Sequence, residues 1–450
     1  MKKKLENRKN NKSIIVSTLI FVITFIAMAG YLIYFNLTQA ESIINNSYNK
    51  RQGVLSRRTI RGSILSDDKT KLAVTNVDDD GNETRYYPYS GLFSHAIGYL
   101  NNGGYGLESL YGYYMLHSNQ NFFEQIGNDL SGNRNTGDNV VTTLNVGLQK
   151  ACYDALGSNR GAVIVMEPST GKILAMVSKP DFDPNTLAAN WSQITGEGSD
   201  SVLVNRATQG LYPPGSTFKL ITMLEYLREH KNDYGQYHYI CDGTYELGNN
   251  TINCVRTTAH GDVDLFSSLA VSCNCSFINI GLSLDLDRYK KTAEKMLFNK
   301  DLPTNLEYNK SRFVLNGESS EWDIAQTSFG QGKTVITPFH LALITCTIAN
   351  NGTLMEPYLV SSVESTNGMT VKKFKEEKYD TLITEKEASL LKKGMEQVVK
   401  DSFSWLFGGV EYTLAAKSGS AQYGTEGYEH SLYASFSPAD NPEIAVVAGG

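Results

Sequence analysis

The sequence has no surplus of basic residues, since 41 lysines and arginines stand against 47 aspartates and glutamates and the net charge is −6. A protein that binds nucleic acid without sequence specificity needs clustered positive charge to neutralise the phosphates. The composition therefore argues against a nucleic-acid partner.

Internal repeats and long low-complexity tracts are also missing. Hydrophobic residues make up 41 % of the chain and charged residues 20 %, which is typical of a folded globular protein rather than a disordered or fibrous one. A chain of 450 residues is long enough for two domains, one of them with a large core.

One long hydrophobic run, from Ile14 to Phe35, carries no charge. Its length matches the ~20 residues that an α-helix needs to cross a bilayer. Six basic residues precede it: Lys2, Lys3, Lys4, Arg8, Lys9 and Lys12. Because positive charge stays on the cytoplasmic side, we expect a cytoplasmic tail over residues 1–12, a single membrane-spanning helix over 13–36 and an extracytoplasmic remainder.

A cleaved signal peptide is the alternative, since Thr38, Gln39 and Ala40 resemble a small-x-Ala cleavage site. The apolar core of a signal peptide usually has only ~7–15 residues, which is shorter than this run. The sequence therefore predicts an uncleaved, single-pass anchor in a cell membrane.

Two segments of different composition follow the anchor. Residues 37–150 are rich in Asn, Tyr and Gly, and turns break their short apolar pieces, which predicts a small α+β pedestal domain. Two β-rich runs, Ala162–Met166 and Ile173–Val177, then flank a Pro-Ser-Thr-Gly-Lys turn and predict a hairpin. Helical patterns follow and strands return at the end, so residues 151–450 are predicted to form an α/β domain whose sheet joins its two ends.

The stretch "GLYPPGSTFKL" places Ser216 and Lys219 three positions apart at the start of a predicted helix, on one helix face. Unpaired backbone N–H groups and the positive end of the helix dipole favour an anion there. A lysine buried in this apolar run would have a lowered pKa, which would let its neutral amine take the serine proton. This predicts a nucleophilic serine with a lysine base.

The S-x-x-K spacing is weak alone, because it recurs at Ser169–Lys172 and elsewhere, where a solvated turn explains it. Here, however, "SCN" at Ser272–Asn274 and "KSG" at Lys417–Gly419 follow in order. These are the S-x-x-K, S-x-N and K-T-G signatures of the active-site serine penicillin-recognising enzymes. Further similar stretches are "RRTIRGSIL", "HAIGYLNNGGYGLESLYGYYM", "GAVIVMEPSTGKILAMVS" and "TSFGQGKTVITPFHLALI".

On these motifs the chain resembles the class B penicillin-binding proteins, membrane-anchored D,D-transpeptidases of peptidoglycan synthesis. The resemblance implies a β-lactamase-like α/β (α+β) transpeptidase domain behind one membrane helix and a small pedestal domain. It also implies a serine acyl-enzyme formed on D-Ala-D-Ala stem peptides. β-Lactam antibiotics would acylate the same serine, and we expect slow release, since no E-x-x-L-N motif is visible.

The resemblance assigns a role to each matching residue. Ser216 would attack the penultimate D-Ala carbonyl, Lys219 would be the general base, and Ser272 would relay a proton to the leaving amine. Lys417 would supply a positive charge beside Ser272, and Asn274 would bind the donor peptide backbone. Ser418 would bind the terminal carboxylate, and Gly419 would let the substrate approach closely. The backbone N–H groups of Ser216 and Ser420 would form the oxyanion hole.

Ser418 departs from the family pattern, which more often has Thr at this position. Both residues offer a hydroxyl, so we expect the difference to change only the affinity for the substrate carboxylate. The resemblance implies no cofactor for the chemistry and, as a partner, a membrane glycosyltransferase of the shape, elongation, division and sporulation class. Two alternatives stay open: a D,D-carboxypeptidase, and a non-catalytic β-lactam sensor or scaffold. The family usually continues to a final helix beyond "AVVAGG", so a further C-terminal segment is also expected.

Six cysteines are unusual for a protein that faces outward. A disulfide between Cys241 and Cys254 is one interpretation. A second is a structural zinc site, since Cys241, Cys254, His260 and Cys273 supply a Cys₃His set. Cys273 lies inside S-x-N, so such a zinc would brace Ser272 and Asn274. Free buried thiols are the third interpretation.

Overall fold

A computed structural model describes residues 2–38, 56–196, 198–423 and 428–450 of the chain. Helix α1 covers Lys2–Thr38. It contains the 22-residue apolar segment Ile14–Phe35, which is long and apolar enough to cross a membrane. Gln39 and Ala40 of the alternative cleavage site lie outside the described residues.

Short elements form the segment that follows α1. Its strands are β1 (Thr59–Ile60), β2 (Ile64–Leu65), β3 (Lys71–Val77), β4 (Glu83–Tyr86), β5 (Asn135–Thr136) and β6 (Asn139–Thr142). Its helices are α2 (Ser94–Ile97), α3 (Gly106–Leu110), α4 (Gly112–Met115) and α5 (Phe122–Leu130).

Longer elements make up the rest of the chain. The helices are α6 (Val146–Leu156), α7 (Leu187–Thr195), α8 (Lys219–Glu229), α9 (Leu265–Ala270), α10 (Asn274–Ser283), α11 (Leu286–Lys295), α12 (Glu321–Ser328), α13 (Pro338–Ala349), α14 (Glu385–Ser402) and α15 (Ser404–Phe407). The strands are β7 (Gly161–Met166), β8 (Ile173–Lys179), β9 (His238–Cys241), β10 (Thr244–Leu247), β11 (Asn250–Asn253), β12 (Gly261–Asp264), β13 (Thr353–Met355), β14 (Val360–Glu364), β15 (Thr370–Lys373), β16 (Lys378–Thr381), β17 (Ala415–Tyr423), β18 (Tyr428–Ser437) and β19 (Ile444–Gly449).

The main sheet has five antiparallel strands in the order β17-β18-β19-β7-β8. Strand β19 pairs with β7, with Val447 opposite Ile164, so the sheet joins the two ends of this domain. The predicted hairpin is confirmed as β7 and β8. The predicted mixed helix and strand fold is confirmed as well.

Helices cover both faces of this sheet. All twelve residues of α13 are buried, and the helix packs against β7, β18 and β19. Alternate residues of a strand point to opposite faces. Accordingly, Ile164 joins the core cluster that contains α13, whereas Val163 and Val165 pack with Cys152 of α6 on the other face. The main sheet is thus the middle layer of three.

A second sheet connects the two predicted domains. Its six strands have the order β15-β14-β6-β2-β3-β4. Strands β14 and β15 come from residues 360–373, and β14 pairs with β6 of the first segment. The second sheet therefore contains strands from both sides of the predicted boundary at residue 150. Sequence reasoning missed this because the pairing joins strands more than 200 residues apart.

A buried ion-pair network stabilises the first segment. The Glu108 carboxylate accepts hydrogen bonds from Arg61 Nε at 2.8 Å and from Arg85 Nε at 2.7 Å. The Glu108 side chain is fully buried and both arginine side chains are at most 7 % exposed. Loss of this carboxylate would leave two buried cations without a counter-charge.

Glu108→Gln should lower the free energy of unfolding by about 3–5 kcal/mol, because one partner of a buried ion pair is lost. Asp154→Asn is the matched control, since it breaks the exposed Lys150–Asp154 pair at 2.7 Å and should cost under about 1 kcal/mol. Urea unfolding of the full chain in detergent measures both. Equal losses in the two variants would contradict the prediction.

Candidate active site

The candidate nucleophile lies on a tight turn. Residues Gly215–Phe218 form one 3₁₀ turn that runs directly into α8. The sequence predicted an α-helix from Ser216, but its first turn is 3₁₀, and the Lys219 N–H donates to the Ser216 carbonyl. Ser216 is half-buried and Lys219 is fully buried. The turn thus exposes the serine and directs the lysine into the protein.

Three glycines allow this turn to touch two other segments. A Cβ on Gly419 of β17 would lie 2.9 Å from Ser216 N, and a Cβ on Gly215 would lie 2.7 Å from Ser420 O. Gly330 has a φ of +88°, and its Cβ would overlap the Gly215 carbonyl oxygen. Only glycine permits such approaches. Strand β17, the edge strand of the main sheet, therefore runs against the nucleophile turn.

The S-x-N motif lies between two helices. Helix α9 ends before Ser272, whose φ of +55° is left-handed, and α10 begins at Asn274. Cys273 caps α10, since its sulfur accepts the Ser276 N–H at 3.4 Å. A non-glycine residue at positive φ costs on the order of 1–3 kcal/mol. The surrounding structure therefore holds Ser272 in a conformation that the isolated chain would disfavour.

Two lysine amines meet at the Ser272 hydroxyl. Lys219 Nζ donates to Ser272 O at 2.7 Å, to Ser272 Oγ at 3.2 Å and to Asn274 Oδ1 at 2.8 Å. Lys417 Nζ lies 3.1 Å from Ser272 Oγ and 2.8 Å from Ser418 O. The structure thus brings together residues of all three predicted motifs.

Burial governs the electrostatics of the two lysines, since Lys219 is 0 % exposed and Lys417 is 1 % exposed. Burial lowers the pKa of Lys219 to about 7, although nearby cysteines oppose the shift. Burial also lowers the pKa of Lys417 well below its usual value, and the like charge of Lys219 adds to the shift. One of the two amines can therefore be neutral near neutral pH.

The predicted contact between Ser216 and Lys219 is not a hydrogen bond in this structure. Among the hydrogen bonds of the described residues, those of Lys219 Nζ reach Ser272 and Asn274 instead. Both residues still lie at the start of one helix, as predicted. Ser418 is half-buried and Ser420 is exposed on the same strand edge.

Asn274 is held from two sides. Its Oδ1 accepts from Lys219, and its Nδ2 donates to the Asn253 carbonyl at 3.0 Å. Asn253 ends β11 and directly precedes Cys254. The β10–β11 hairpin therefore fixes the orientation of this amide, a contact that no sequence motif indicates.

The predicted metal ligands form one compact cluster behind the S-x-N motif. The ligand atoms of Cys241, Cys254, His260 and Cys273 all lie within 4.8 Å of one another. Cys241 Sγ lies 3.7 Å from Cys254 Sγ, and Cys254 Sγ lies 3.8 Å from Cys273 Sγ. Three thiols and one imidazole are the donors of a closed structural zinc site. The residues therefore fit zinc.

Sequence reasoning missed two residues near the site. Gly330 lies in the "FGQG" turn, which was not among the predicted site residues, and its carbonyl accepts the Gly215 N–H at 2.9 Å. Cys275 lies outside the predicted metal set, yet its sulfur is 3.4 Å from that of Cys254. The two glycines of "FGQG" could have suggested the close contact of Gly330, whereas no sequence spacing indicates the contact of Cys275.

Two family models match the chain. The first is described as penicillin binding protein transpeptidase domain and matches residues 161–449. The second is described as penicillin binding protein A dimerisation domain and matches residues 61–140. Together they span both segments that follow the membrane helix.

Curated relatives extend over most of the chain. Peptidoglycan D,D-transpeptidase PbpA of Mycolicibacterium smegmatis is 31 % identical over 393 residues, which are 81 % of this chain and 77 % of the relative. Peptidoglycan D,D-transpeptidase MrdA of Acinetobacter baumannii is 27 % identical over 423 residues, 81 % of this chain and 62 % of the relative.

Solved structures of penicillin-binding proteins are similar to this chain over most of its length. Penicillin-binding protein A of Mycobacterium tuberculosis, in its ceftriaxone acyl-enzyme complex, has a TM-score of 0.79 at 28 % identity and covers 88 % of this chain and 93 % of its own. The D,D-transpeptidase domain of a peptidoglycan glycosyltransferase from Eggerthella lenta has a TM-score of 0.78 at 28 % identity, with 87 % and 93 % covered. The chain belongs to the penicillin-binding protein transpeptidase family, within the class B penicillin-binding proteins.

Proposed function

We propose that this protein is a peptidoglycan D,D-transpeptidase that cross-links stem peptides through an acyl-enzyme on Ser216. The observation that carries the proposal is the meeting of two buried amines at the Ser272 hydroxyl, beside a half-exposed serine. The names of the curated relatives support it. Covalent binding of β-lactams follows from the same chemistry, and one structural relative is a cephalosporin acyl-enzyme.

In the acylation step, Ser216 Oγ attacks the carbonyl of the penultimate D-Ala. The neutral amine of Lys219 accepts the hydroxyl proton as the C–O bond forms. The negative oxygen of the tetrahedral intermediate then lies against the Ser216 and Ser420 N–H groups. Each such donor is worth roughly 3–4 kcal/mol of transition-state stabilisation. The contacts of Gly215 and Gly419 keep these two backbone segments together.

Departure of the terminal D-Ala needs a proton on its amine. Ser272 supplies that proton and recovers one from a neighbouring lysine, since both amines are within 3.2 Å of its oxygen. Lys417 supplies positive charge beside Ser272, Ser418 binds the terminal carboxylate, and Asn274 binds the donor backbone. An amine of a second stem peptide then attacks the ester, forms the cross-link and releases Ser216.

The remaining assignments concern location and partners. The basic tail before α1 supports a cytoplasmic N-terminus and an extracytoplasmic catalytic domain. A D,D-transpeptidase joins strands that another enzyme must polymerise. We therefore propose a membrane glycosyltransferase of the shape, elongation, division and sporulation class as its partner, bound through α1 and the first segment.

A structural zinc ion completes the proposal. Cys241, Cys254, His260 and Cys273 would hold it, and it would supply no step of the reaction. Cys273 lies between Ser272 and Asn274, so a metal at its sulfur would fix the strip that carries both residues.

Ser216→Ala should abolish labelling by a fluorescent penicillin, because the acylated oxygen is lost. Ser169→Ala is the matched control. It has the same S-x-x-K spacing, but it lies exposed in the turn between β7 and β8 and should label like the unmodified protein. Gel fluorescence of the full chain measures both.

Incubation of the unmodified chain with a donor stem peptide and an acceptor amine should yield the cross-linked product. Hydrolysed donor without cross-link would instead indicate a D,D-carboxypeptidase. Absence of any labelling of the folded chain would indicate a non-catalytic protein and overturn the proposal.

The acylation rate should rise with pH up to about pH 7 and level off above it. The reason is that burial lowers the pKa of Lys219 to about 7, and only its neutral form accepts a proton. The observed value belongs to the coupled pair Lys219 and Lys417. Stopped-flow acylation between pH 5.5 and 8.5 measures it, and a flat profile would contradict the lysine-base mechanism.

The purified full chain should contain one zinc ion per molecule, and Cys241→Ser should lose it and unfold at a lower temperature. Cys152→Ser, a thiol packed between α6 and the main sheet, should keep the metal. Elemental analysis and a thiol count measure both variants. A disulfide between Cys241 and Cys254, or six reactive thiols without metal, would exclude the zinc site.

A further inference from the structure

The thiol cluster contains one cysteine more than a zinc site needs. A structural zinc ion takes four ligands, and the set of three cysteines and His260 already provides them. Cys275 is a fifth candidate ligand, fully buried in the same cluster of four cysteines. The proposed chemistry and the proposed metal leave this thiol without a role.

The position of Cys275 connects it to one particular ligand. Its sulfur lies 3.4 Å from Cys254 Sγ, closer than either Cys241 at 3.7 Å or Cys273 at 3.8 Å. With Zn–S bonds of about 2.3 Å, sulfurs at two corners of a tetrahedron are about 3.8 Å apart. The two ligand pairs therefore match zinc geometry, whereas the Cys254–Cys275 pair is closer than that geometry requires.

The compartment makes such a pair reactive. On the proposed topology the cluster faces the outside of the membrane, where no glutathione or thioredoxin pool keeps thiols reduced. A metal-bound thiolate remains a target for small oxidants. A second thiol in contact with an oxidised cysteine resolves it as a disulfide before it oxidises further.

We propose that Cys254 and Cys275 form an oxidation site that peroxides convert to a disulfide. The Cys254 thiolate attacks hydrogen peroxide, which breaks the O–O bond, gives a sulfenic acid and releases one hydroxide that becomes water. The Cys275 sulfur then displaces the sulfenic oxygen as a second water, and the S–S bond forms. Two thiols are oxidised and one peroxide is reduced to two waters.

The consequence for catalysis rests on the proposed function. A zinc ion held by this set would lose its Cys254 ligand in this reaction and would be released. The new bond ties Cys254 to the first turn of α10, directly after Asn274. Asn274 takes its orientation from Asn253 O and holds Lys219. Oxidation therefore displaces the amide that positions the base, and acylation slows.

The experiment treats the zinc-loaded full chain in detergent with increasing hydrogen peroxide. A chromogenic chelator reports released zinc, mass spectrometry after thiol blocking maps disulfides, and a fluorescent penicillin reports the acylation rate. We expect a Cys254–Cys275 disulfide to form in step with zinc release and a fall in acylation of at least tenfold. A dithiol reductant with added zinc should then restore the rate.

Cys275→Ser separates this site from general damage. In this variant the nearest thiol is lost, so disulfide formation at Cys254 and zinc release should need more peroxide. Cys254 should then pair with Cys241 or Cys273, at 3.7 Å and 3.8 Å, or pass to the sulfinic acid. Cys346→Ser, a buried thiol on α13, should behave like the unmodified chain. Each variant is compared with its own untreated sample.

Three results would overturn the proposal: a bond from Cys254 to Cys241 or Cys273 in the unmodified chain, unchanged peroxide sensitivity in Cys275→Ser, or a mapped Cys254–Cys275 bond with unchanged acylation. Failure of the proposed function would give a different result from failure of the oxidation site. In that case the untreated chain would not label with penicillin at all, and the zinc and disulfide measurements would still decide whether the oxidation site exists.

Discussion

The hydroxyl of Ser272 lies within 3.2 Å of two lysine amines that are almost completely removed from solvent. Two ammonium groups cannot both stay charged around one oxygen in a buried site without a large energetic cost. The site therefore releases a proton readily near neutral pH. Proton transfer from a serine hydroxyl depends on this property, and much of the remaining structure serves to keep both amines dry and close together.

That closeness comes from segments that are far apart in sequence. Lys219 begins a helix, Ser272 lies on a left-handed residue between two helices, and Lys417 lies on the edge strand of the main sheet. Close backbone contacts hold the three segments, because the Gly419 and Gly215 positions have no room for a side chain. A Cβ at either glycine would push the strand away from the turn. It would admit water and return both amines toward ordinary basicity.

Sequence alone predicted the elements that local pattern determines. The β7–β8 hairpin followed from two β-rich runs around a Gly-containing turn, and the membrane helix followed from length and apolarity. Single motifs were too short to identify the site, since S-x-x-K recurs at Ser169–Lys172 in an exposed turn. Three motifs in order predicted one shared site, and the structure brings residues of all three together. Order along a chain, unlike one spacing, is rarely met by chance.

Other features depended on tertiary contacts and could not be predicted. The pairing of β14 with β6 joins distant segments and left no local signal. The proximity of Cys275 to Cys254 arises because β11 ends over the first turn of α10, which depends on how the β10–β11 hairpin packs. Likewise, the contact between Gly330 and Gly215 needs two turns to meet in space.

The resting contacts of Lys219 hold its amine in place while burial lowers its pKa. An ammonium has three N–H donors, and the amine faces three oxygens: Ser272 O, Ser272 Oγ and Asn274 Oδ1. Burial favours the neutral form of this amine, and the nearby cysteines oppose that shift. Burial has the larger effect, and the pKa settles at about 7. A more deeply buried amine would be a weaker base, whereas a more solvated amine would stay charged at neutral pH and could not accept a proton. The three oxygens therefore position the amine, and its burial brings the pKa of Lys219 into the range where it can exchange a proton near neutral pH.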